Sequence, residues 1–375
     1  MENNKIDICF ICNGHDFVIN MSITIISLLK NSDNDHIFHF HIITDYISQD
    51  DKKNLYLLME IKKFYITFYD IPQSIKDKYI NYMNSSRIEI PNWWGYSVFL
   101  KLEIHNILFN LDKVLLLDTD IIIMKPIHKL LNIDISNYCL ITADFEIYIY
   151  SYVREHEHHF ISVGELPYFG DLSFYEYYSN LIKKLEINDK QPQEWINAGV
   201  MYLNIKLLKF YLTEENIRNS FNLCNIKNIY CTEENIYNLL IPNEKIKRLN
   251  RNYNHIAGIW IDDKYTDNIK IVHCTCGKIF PPISHFIPKV KNKILKEGWK
   301  YLTMTPWFKE NPNYFLDIYS NYDTHYINKE LEYYKKNYDK ILGNYQNLIN
   351  KLVWIIPIKN IRNKIRNKLI NIIIN

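Results

Sequence analysis

The sequence predicts an α/β fold built on a doubly wound, mostly parallel sheet, followed by a helical C-terminal extension. Three observations lead to this prediction. Short apolar segments of strand length alternate with segments of helical periodicity in the first part of the chain, as in a parallel sheet with crossover helices. Hydrophobic residues make up 47% of the 375 residues, which is enough for one sizeable core. From residue 290 onward the chain becomes a Tyr- and Lys-rich helical pattern, which predicts the extension.

The first strands and helices follow one another in a strand-helix-strand-helix-strand series. Such a series implies a parallel sheet that binds a nucleotide at the carboxyl ends of its strands. In chain order we predict a strand at 6–12, a helix at 20–31, a strand at 37–43, a helix at Asp50–Ile61 and a strand at Phe64–Phe68.

Two features of these strands resemble metal or redox motifs. His39 and His41 are two residues apart in a strand and therefore face the same side of the sheet. No third ligand type is beside them, so we interpret them as residues of a wet or polar face rather than as metal ligands. Cys9 and Cys12 lie within one predicted strand, where their side chains cannot point the same way. The seven Cys are expected to be reduced thiols.

The most informative motif is Asp118-Thr119-Asp120, which follows a predicted helix at Tyr96–Leu111. It lies between Val114–Leu117 and Ile121–Met124, two uncharged apolar segments that predict buried strands. Two carboxylates at a break in a buried strand are costly unless a cation offsets them. Hard divalent ions suit such ligands, and a bound ion can hold a diphosphate. The alternative is a pair of solvated turn aspartates, and the flanking strands favour the metal site.

The second half of the chain continues the alternation with one interruption. Residues 145–190 are aromatic, His-rich and irregular, which indicates an insertion over the site. We predict strands at Tyr138–Ala143, Ala198–Asn204 and Ile269–His273, and helices near 213–224 and 232–240. The hinge-like segment 280–289 ends the compact domain.

Six segments carry a resemblance to a known family. They are FICNGHDF (10–17), KLEIHNILFNLDKVLLLDTDIII (101–123), ITADF with Asp144, INAGVMYLNI (196–205), TEENIYNLL (232–240) and IVHCTCGK (271–278). In this order they resemble the family 8 glycosyltransferases, the retaining group that includes glycogenin and the lipopolysaccharide hexosyltransferases. The resemblance implies a single Rossmann-like catalytic domain of glycosyltransferase type A. We place this domain at 1–285, a helical extension at 286–345 and a tail at 346–375.

The resemblance also implies a function and a site. It implies a metal-dependent, retaining hexosyltransferase that uses a UDP-sugar, with Asp118, Asp120 and His273 as ligands of Mn²⁺ or Mg²⁺. Two carboxylates and one imidazole suit Mn²⁺ well, whereas an all-oxygen set suits Mg²⁺ better. The residues implied to contact the donor are Asn13, Phe17, Lys101, Asp118, Thr119, Asp120, Asn197, Ala198, Gly199, Gly277 and Lys278.

Three residues are implied to act on the transferred sugar. Asp144 and Asn197 would hydrogen-bond its hydroxyl groups, since carboxylates and amides can fix a hydroxyl's orientation. Glu234 stands where the family usually has Gln on the reactive face. It is either a nucleophile for double displacement or a stabiliser of a positively charged state during front-face attack, and both stay open.

The chain departs from the family pattern at several positions. Asn13 replaces a usual Asp, Phe17 a usual Tyr, and Lys101 a usual Arg. The closing motif has one extra residue before Gly277, and Lys278 follows at once. Glu233–Asn235 stands where the family usually has Asp-Gln-Asp. The departures at Lys101, at Glu233–Asn235 and after Gly277 keep open a non-catalytic alternative, a glycan-binding or scaffold protein. A nucleotidyltransferase that makes nucleotide sugars is a further alternative, but such enzymes have a Gly-rich phosphate loop, and ICNGHDF contains a single Gly.

The C-terminal tail predicts contact with a membrane surface. Its apolar residues fall on one helical face beside a basic face: Ile358, Ile361, Ile365, Leu369 and Ile372 against Arg362, Lys364, Arg366 and Lys368. A basic amphipathic helix suits an anionic membrane surface, and the alternatives are a helix packed on the domain or a partner-binding helix. With a net charge of only +2, we expect no nucleic-acid partner. We find no signal-peptide pattern at the N-terminus and no apolar run of membrane-spanning length. We expect a cytoplasmic protein, peripheral on the inner face of the cytoplasmic membrane, with a surface-glycan or lipid-linked acceptor.

Deletion of residues 346–375 tests the role of the tail. We expect the shortened protein to lose binding to anionic vesicles in a sedimentation assay, because the basic amphipathic face is removed. UDP binding should be unchanged, which serves as the control for folding. Vesicle binding equal to that of the full chain would contradict the prediction.

Overall fold

The computed structural model describes residues 5–32, 36–85, 95–144, 174–191, 194–256, 268–274 and 297–318. The strands in chain order are β1 (Lys5–Ile11), β2 (Ile37–Thr44), β3 (Phe64–Asp70), β4 (Lys113–Leu117), β5 (Ile121–Ile123), β6 (Leu140–Ala143), β7 (Val200–Asn204), β8 (Ile246–Leu249), β9 (His255–Ile256) and β10 (Ile271–His273).

The described helices connect these strands. They are α1 (His15–Lys30), α2 (Gln49–Leu57), α3 (Gln73–Asn84), α4 (Ile104–Ile107), α5 (His128–Leu131), α6 (Phe174–Lys184), α7 (Ile205–Leu208), α8 (Glu214–Ile226), α9 (Glu233–Leu240), α10 (297–302), α11 (Pro306–Glu310) and α12 (312–318). Short 3-10 segments at Leu58–Glu60, Tyr96–Glu103, Asn243–Lys245 and Arg251–Tyr253 complete the described helical structure.

Two sheets organise the chain, and the predicted α/β fold with a mostly parallel sheet is confirmed. The large sheet has seven strands in the order β3-β2-β1-β4-β7-β6-β8, and a small sheet has the order β5-β10-β9. In the large sheet β7 alone is antiparallel to its neighbours β4 and β6. Helix α1 packs against β5 and α2, while side chains of α8 and α9 share one buried cluster with β1, β4 and β7.

The parallel strands bring the predicted site residues to one edge. β1, β4 and β6 run in the same direction, so the residues after them, Asn13, Asp118 and Asp144, lie at the same carboxyl edge. Because β7 is antiparallel, its beginning lies there too, preceded by Ala198-Gly199. Ligands of open α/β sheets bind at this edge.

The Asp118–Asp120 turn passes from the large sheet to the small one. β4 pairs with β7, and the Asp118 N–H donates to the Gly199 carbonyl at 2.9 Å. β5 pairs antiparallel with β10 so that His273 is opposite Ile121. These two pairings place Gly199 and His273 on either side of the turn.

Helix α1 also fixes the turn. The Thr24 hydroxyl is 2.9 Å from the Thr119 carbonyl oxygen and 2.7 Å from that of Ile121, and it donates to this pair of acceptors. Ser27 accepts the Ile123 N–H at 2.9 Å. The helix begins at His15, five residues before the predicted start at 20, because Gly14 at φ +85° turns the chain directly out of β1. Only Gly adopts that conformation without strain.

Other boundaries differ from the prediction where tertiary contacts outweigh periodicity. The predicted helix Tyr96–Leu111 is a 3-10 segment followed by the one-turn helix α4, and the chain leaves helical structure before Leu111. The strand predictions at Tyr138–Ala143 and Ala198–Asn204 begin two residues too early. The region 145–190, predicted to be irregular, contains α6. The prediction omitted α3, whose one fully buried side chain is Tyr79, and the short strands β8 and β9.

The described residues 297–315 pack on the domain. Asn31 donates to the Tyr301 hydroxyl at 2.8 Å, and the Trp307 indole donates to Asp51 at 2.9 Å. Residues up to Phe315 form one compact unit, and Leu316 begins another. The proposed domain ends at 285 and 345 lie outside the described residues, as do the hinge at 280–289 and the tail. Among the described helices none is long and apolar enough to span a membrane. The cysteines of this part of the chain are buried and form no disulfide.

Candidate active site

Asp118, Asp120 and His273 converge at the carboxyl edge of the sheet. His273 Nε2 lies 3.7 Å from an Asp118 oxygen and 3.4 Å from an Asp120 oxygen. One ligand atom from each of the three residues lies within 4.8 Å of the others. The carboxylates keep 28% and 19% of their side-chain surface exposed, whereas His273 keeps 4%. The cluster is therefore anchored in the protein on the imidazole side and open on the carboxylate side.

The surroundings of His273 fit a metal ligand. Its Nδ1 lies 3.1 Å from Asn254 Oδ1 and donates to this oxygen, which leaves the Nε2 lone pair facing the carboxylates. The ring packs directly on Gly199, where an added Cβ would lie 2.0 Å from Cε1. Neighbouring ligands of a six-coordinate ion with bonds of about 2.1 Å are about 3 Å apart. The three side chains could thus hold a divalent cation after small adjustments.

The negative charge of Asp118 and Asp120 favours the binding of a cation. Burial lowers the pKa of His273, but the negative charges of Asp120 and Asp118 outweigh burial and raise this pKa above its ordinary value. A proton on the imidazole is therefore favoured when no metal ion is bound. A divalent ion would displace that proton and offset the carboxylates more completely.

Lys101 is buried beside the cluster and bridges three acceptors. Its Nζ lies 2.7 Å from Asp118 Oδ1, 3.2 Å from Glu233 Oε1 and 3.3 Å from the Ala198 carbonyl. Burial alone would lower the pKa of Lys101, but the charges of Asp118 and Glu233 raise it. Lys101 therefore stays protonated and orients Asp118. The ammonium group of Lys101 thus contacts protein groups on three sides. Its implied contact with the donor stays a prediction.

Glu234 lies in the first turn of α9, which Thr232 caps by accepting the Asn235 N–H. Its Oε1 accepts from Asn197 Nδ2 at 2.9 Å and from the Ala198 N–H at 3.1 Å, and its Oε2 accepts from the Trp195 indole at 3.4 Å. Burial and the negative charge of Glu233 raise the pKa of Glu234 to about 7. This carboxyl is thus ordered by the segment predicted to face the donor, and it changes charge near neutral pH.

A chain of hydrogen bonds links Glu234 to the metal-ligand cluster. Asn197 donates to Glu234 and accepts from Asn254 Nδ2 at 2.8 Å, while Asn254 Oδ1 accepts from His273. Asn197 also accepts the Gly199 N–H at 3.2 Å. Asn254 therefore positions two predicted site residues at once.

The other predicted residues lie along the same edge but outside this network. Asn13 accepts the Asp45 N–H at 2.5 Å, and Phe17 is 47% exposed in the first turn of α1. Asp144 is exposed at the end of β6, and burial raises its pKa while the charge of Arg248 on β8 lowers it. Thr119 is buried in the turn. Gly277 and Lys278 lie outside the described residues.

The sequence analysis missed Asn254, Trp195 and Thr24. Asn254 lies between a 3-10 turn and a two-residue strand, in a segment with no periodic signal. Trp195 directly precedes the Ile196-Asn197 pair that the resemblance identified, so its proximity was a usable signal. Thr24 is one of several polar residues on an otherwise apolar helix, a pattern that indicates buried hydrogen bonds.

The mostly parallel sheet, with an acidic, His-containing cluster at its carboxyl edge, agrees with the glycosyltransferase type A fold that the resemblance implied. The model of the family described as "Glycosyl transferase family 8" matches residues 8–291. The chain therefore belongs to family 8 of the glycosyltransferases, and the predicted resemblance is confirmed. No curated protein matches the sequence.

Several solved structures are similar in fold. The bifunctional glycosyltransferase WbbM superposes with a TM-score of 0.57 at 15% identity, over 82% of this chain and 51% of WbbM, so the chain spans about half of that protein. The galactosyltransferase LgtC, solved with donor and acceptor sugar analogues, gives 0.55 at 15% identity over 81% of this chain and 99% of LgtC. GlyE of Streptococcus pneumoniae gives 0.50 at 14% identity over 81% and 64%.

Gly199→Ala tests the packing of His273. We expect Mn²⁺ affinity, measured by electron paramagnetic resonance, to fall by about 10-fold or more, because the new Cβ must displace the imidazole. Gly95→Ala is the matched control, since its Cβ would meet nothing closer than the Ser97 hydroxyl at 3.8 Å. Equal Mn²⁺ affinity of the Gly199 variant and the parent would contradict this arrangement.

Proposed function

We propose that the chain transfers a hexose from a UDP-sugar, with retention of anomeric configuration, to a lipopolysaccharide or other surface-glycan acceptor. The observation that carries the proposal is the convergence of Asp118, Asp120 and His273 at the edge where α/β sheets bind nucleotides. Family membership supports sugar transfer. The likeness in fold to a galactosyltransferase is compatible with a hexose donor.

Asp118, Asp120 and His273 would hold the divalent ion of the reaction. The mixed oxygen and nitrogen donor set favours Mn²⁺ over Mg²⁺. When bound, such an ion supplies a Lewis acid for the negative charge that develops on a departing diphosphate. Lys101 pairs with Asp118 and orients it, and Asn254 keeps the His273 lone pair directed at the cluster.

The remaining donor contacts follow from the residues along the same edge. Asn13 and Phe17 would contact the nucleoside at the end of β1, and Gly277 with Lys278 would contact the diphosphate. Asp144 and Asn197 would bind hydroxyl groups of the transferred sugar, because both present oxygen acceptors at this edge. Ala198 and Gly199 permit a close approach of the donor to the backbone.

Glu234 would act as an electrostatic stabiliser rather than as a nucleophile. Its Oε1 already accepts two N–H groups, from Asn197 and Ala198, and such donors reduce the nucleophilicity of a carboxylate. A fixed negative charge in a buried site stabilises a developing oxocarbenium-like charge without rearrangement. Retention would then follow from attack by the acceptor on the face from which UDP departs.

The tail would bring the enzyme to its acceptor. The basic amphipathic pattern at 358–375, which predicts a helix, suits the inner face of an anionic membrane, where a lipid-linked acceptor would lie. The competing proposals are a nucleotidyltransferase and a non-catalytic glycan-binding protein. Release of UDP from a nucleotide sugar distinguishes both from the transferase, because neither alternative predicts hydrolysis of the donor.

Donor hydrolysis tests the proposed reaction. We expect metal-dependent release of UDP from one member of a UDP-sugar panel, stronger with Mn²⁺ than with Mg²⁺ and abolished by a chelator. Asp118→Asn should lower the rate by about 100-fold or more, because the cation loses a charged ligand. The assay measures UDP and needs no acceptor.

Asp112→Asn is the matched control for this experiment. Asp112 keeps 75% of its side-chain surface exposed and pairs with Lys206 at 2.5 Å, so its loss should leave the rate unchanged. UDP release that is independent of metal, or equal in the Asp118 variant and the parent, would overturn the proposal.

Glu234→Gln separates the two roles of this carboxyl. Gln keeps an acceptor for Asn197 and Ala198, so we expect turnover within about 10-fold of the parent. The parent rate should rise by no more than about 10-fold as pH passes through about 7, because burial and Glu233 raise the pKa of Glu234 to that value and the charged form is the faster of two active forms. In the variant this rise should disappear. A loss of about 10⁴-fold or more, with a covalent sugar adduct on Glu234 in the parent, would establish the nucleophile instead.

A further inference from the structure

A second cluster of metal-ligating side chains lies on β1 and β2, away from the carboxyl edge. The parallel register pairs Asp7 with His39, and His41 follows two residues later on the same face. One ligand atom from each of Asp7, His39 and His41 lies within 4.8 Å of the others. His41 is 2% exposed and contacts polar groups of Asp7 and Tyr69, so the polar alternative of the prediction describes this residue. The third ligand, Asp7, was missed because it comes from a different strand.

Neighbouring hydroxyl groups on β3 hold the two imidazoles. His39 Nε2 lies 2.7 Å from the Thr67 hydroxyl, and His41 Nδ1 lies 2.9 Å from the Tyr69 hydroxyl. If each ring donates to its hydroxyl, His39 Nδ1 and His41 Nε2 both present lone pairs toward Asp7. Outer partners of this kind are what orient histidine ligands in metal sites.

The distances suit a small transition-metal ion. His41 Nε2 is 2.8 Å and His39 Nδ1 is 3.5 Å from Asp7 Oδ1. In a tetrahedral site with bonds of about 2.0–2.1 Å, neighbouring ligands are about 3.3 Å apart. His39 Nδ1 is buried and makes no hydrogen bond of ordinary geometry. Among the described residues its nearest recorded polar partner is Asp7 Oδ1 at 3.5 Å, so it is a nitrogen donor directed at a carboxylate from a distance that suits a bridging ion.

The cluster is accessible to an ion from solvent. A cleft of about 630 Å³ opens over it, with Asp7, His39, Tyr65 and Thr67 in its lining. Lys5 lies 3.4 Å from Asp7 and keeps 42% of its side chain exposed, so it can move away from the carboxylate. Three protein ligands beside an open cleft leave a fourth position for water or an anion.

We propose that Asp7, His39 and His41 form a second metal site, separate from the Asp118 cluster, that takes Zn²⁺ or a similar borderline transition-metal ion. Two imidazoles and one carboxylate select such ions over Mg²⁺ and Ca²⁺, which prefer oxygen ligands. The site ties β1 to β2, with Thr67 and Tyr69 of β3 as outer partners. It does not depend on the proposed transferase activity.

Cobalt titration of the full chain tests this site. The Asp118→Asn/Asp120→Asn variant removes the competing cluster and serves as the parent. We expect it to bind one equivalent of Co²⁺ with visible absorption bands of a four-coordinate ion, and Zn²⁺ should displace the Co²⁺. Bound Zn²⁺ should raise the thermal midpoint, because it binds the folded state.

Substitutions in this parent assign the ligands. His39→Gln should weaken Co²⁺ binding by about 100-fold or more, and Thr67→Val by about 10-fold, because Val keeps the strand but cannot hold the imidazole. His15→Gln is the matched control, since His15 pairs with one carboxylate, Asp51, at 2.8 Å. Its affinity should equal that of the parent.

Two results would overturn the proposal. One is the absence of stoichiometric Co²⁺ binding by the Asp118→Asn/Asp120→Asn parent, which would leave Asp7, His39 and His41 as a hydrogen-bonded cluster. The other is Co²⁺ binding that neither His39→Gln nor Thr67→Val weakens, which would place the ion elsewhere. Equal thermal midpoints of parent and variants in metal-free buffer verify folding. If His39→Gln fails this check, Thr67→Val decides between the outcomes.

Discussion

The antiparallel pairing of β10 with β5 is the constraint on which the active site depends. His273 is 150 residues beyond Ile123 in the chain, and only the register that puts it opposite Ile121 brings its imidazole to Asp118 and Asp120. A shift of one residue would direct the side chain to the opposite face of the small sheet. The Cys274 N–H, which donates to the Asp120 carbonyl at 2.9 Å, continues this pairing past the last strand residue. Because β7 holds Asp118 through Gly199, the turn is fixed from both sides.

This arrangement brings several carboxylates together, and the protein offsets their negative charges by different means. Lys101 takes up part of the charge of Asp118 and Glu233 from the buried side. The exposed sides of Asp118 and Asp120 stay available to a cation from solvent. Glu234, next to Glu233, has no cation within hydrogen-bond distance among its described contacts and instead accepts N–H groups. Burial and the charge of Glu233 raise its pKa, and the N–H groups that it accepts only partly offset this rise. A metal-bound donor would therefore find two partly exposed carboxylates, Asp118 and Asp120, that can bind the cation. It would also find one carboxyl, Glu234, whose charge changes near neutral pH.

Local chemistry in the sequence predicted Asp118 and Asp120, which interrupt an apolar segment, whereas the resemblance implied Ala198, Gly199 and His273. The polar pattern of α1 indicates buried hydrogen bonds for Thr24 but does not specify their partners. Asn254 has no signal of either kind, because its role comes from the packing of distant segments against the turn. The same reason explains Asp7, whose partners His39 and His41 are 32 and 34 residues away and adjacent only through strand pairing. The prediction also missed helix α3 and misplaced the start of α1, because each depends on a single residue. Helix α3 is anchored by one buried side chain, Tyr79, and the start of α1 is set by the positive φ of Gly14.

The two clusters of ligand-type residues differ in the chemistry that their positions permit. At the carboxyl edge two carboxylates remain partly open and one imidazole is anchored, which leaves several coordination positions for the oxygens of a ligand. Beside the start of β1 the balance is reversed, with two imidazoles held by hydroxyl groups and one carboxylate. An oxygen-rich ligand set suits Mg²⁺ or Mn²⁺, whereas a set with two imidazoles suits a borderline ion such as Zn²⁺. Selectivity between the two proposed sites would thus follow from side chains that the same sheet places at different distances from its carboxyl edge.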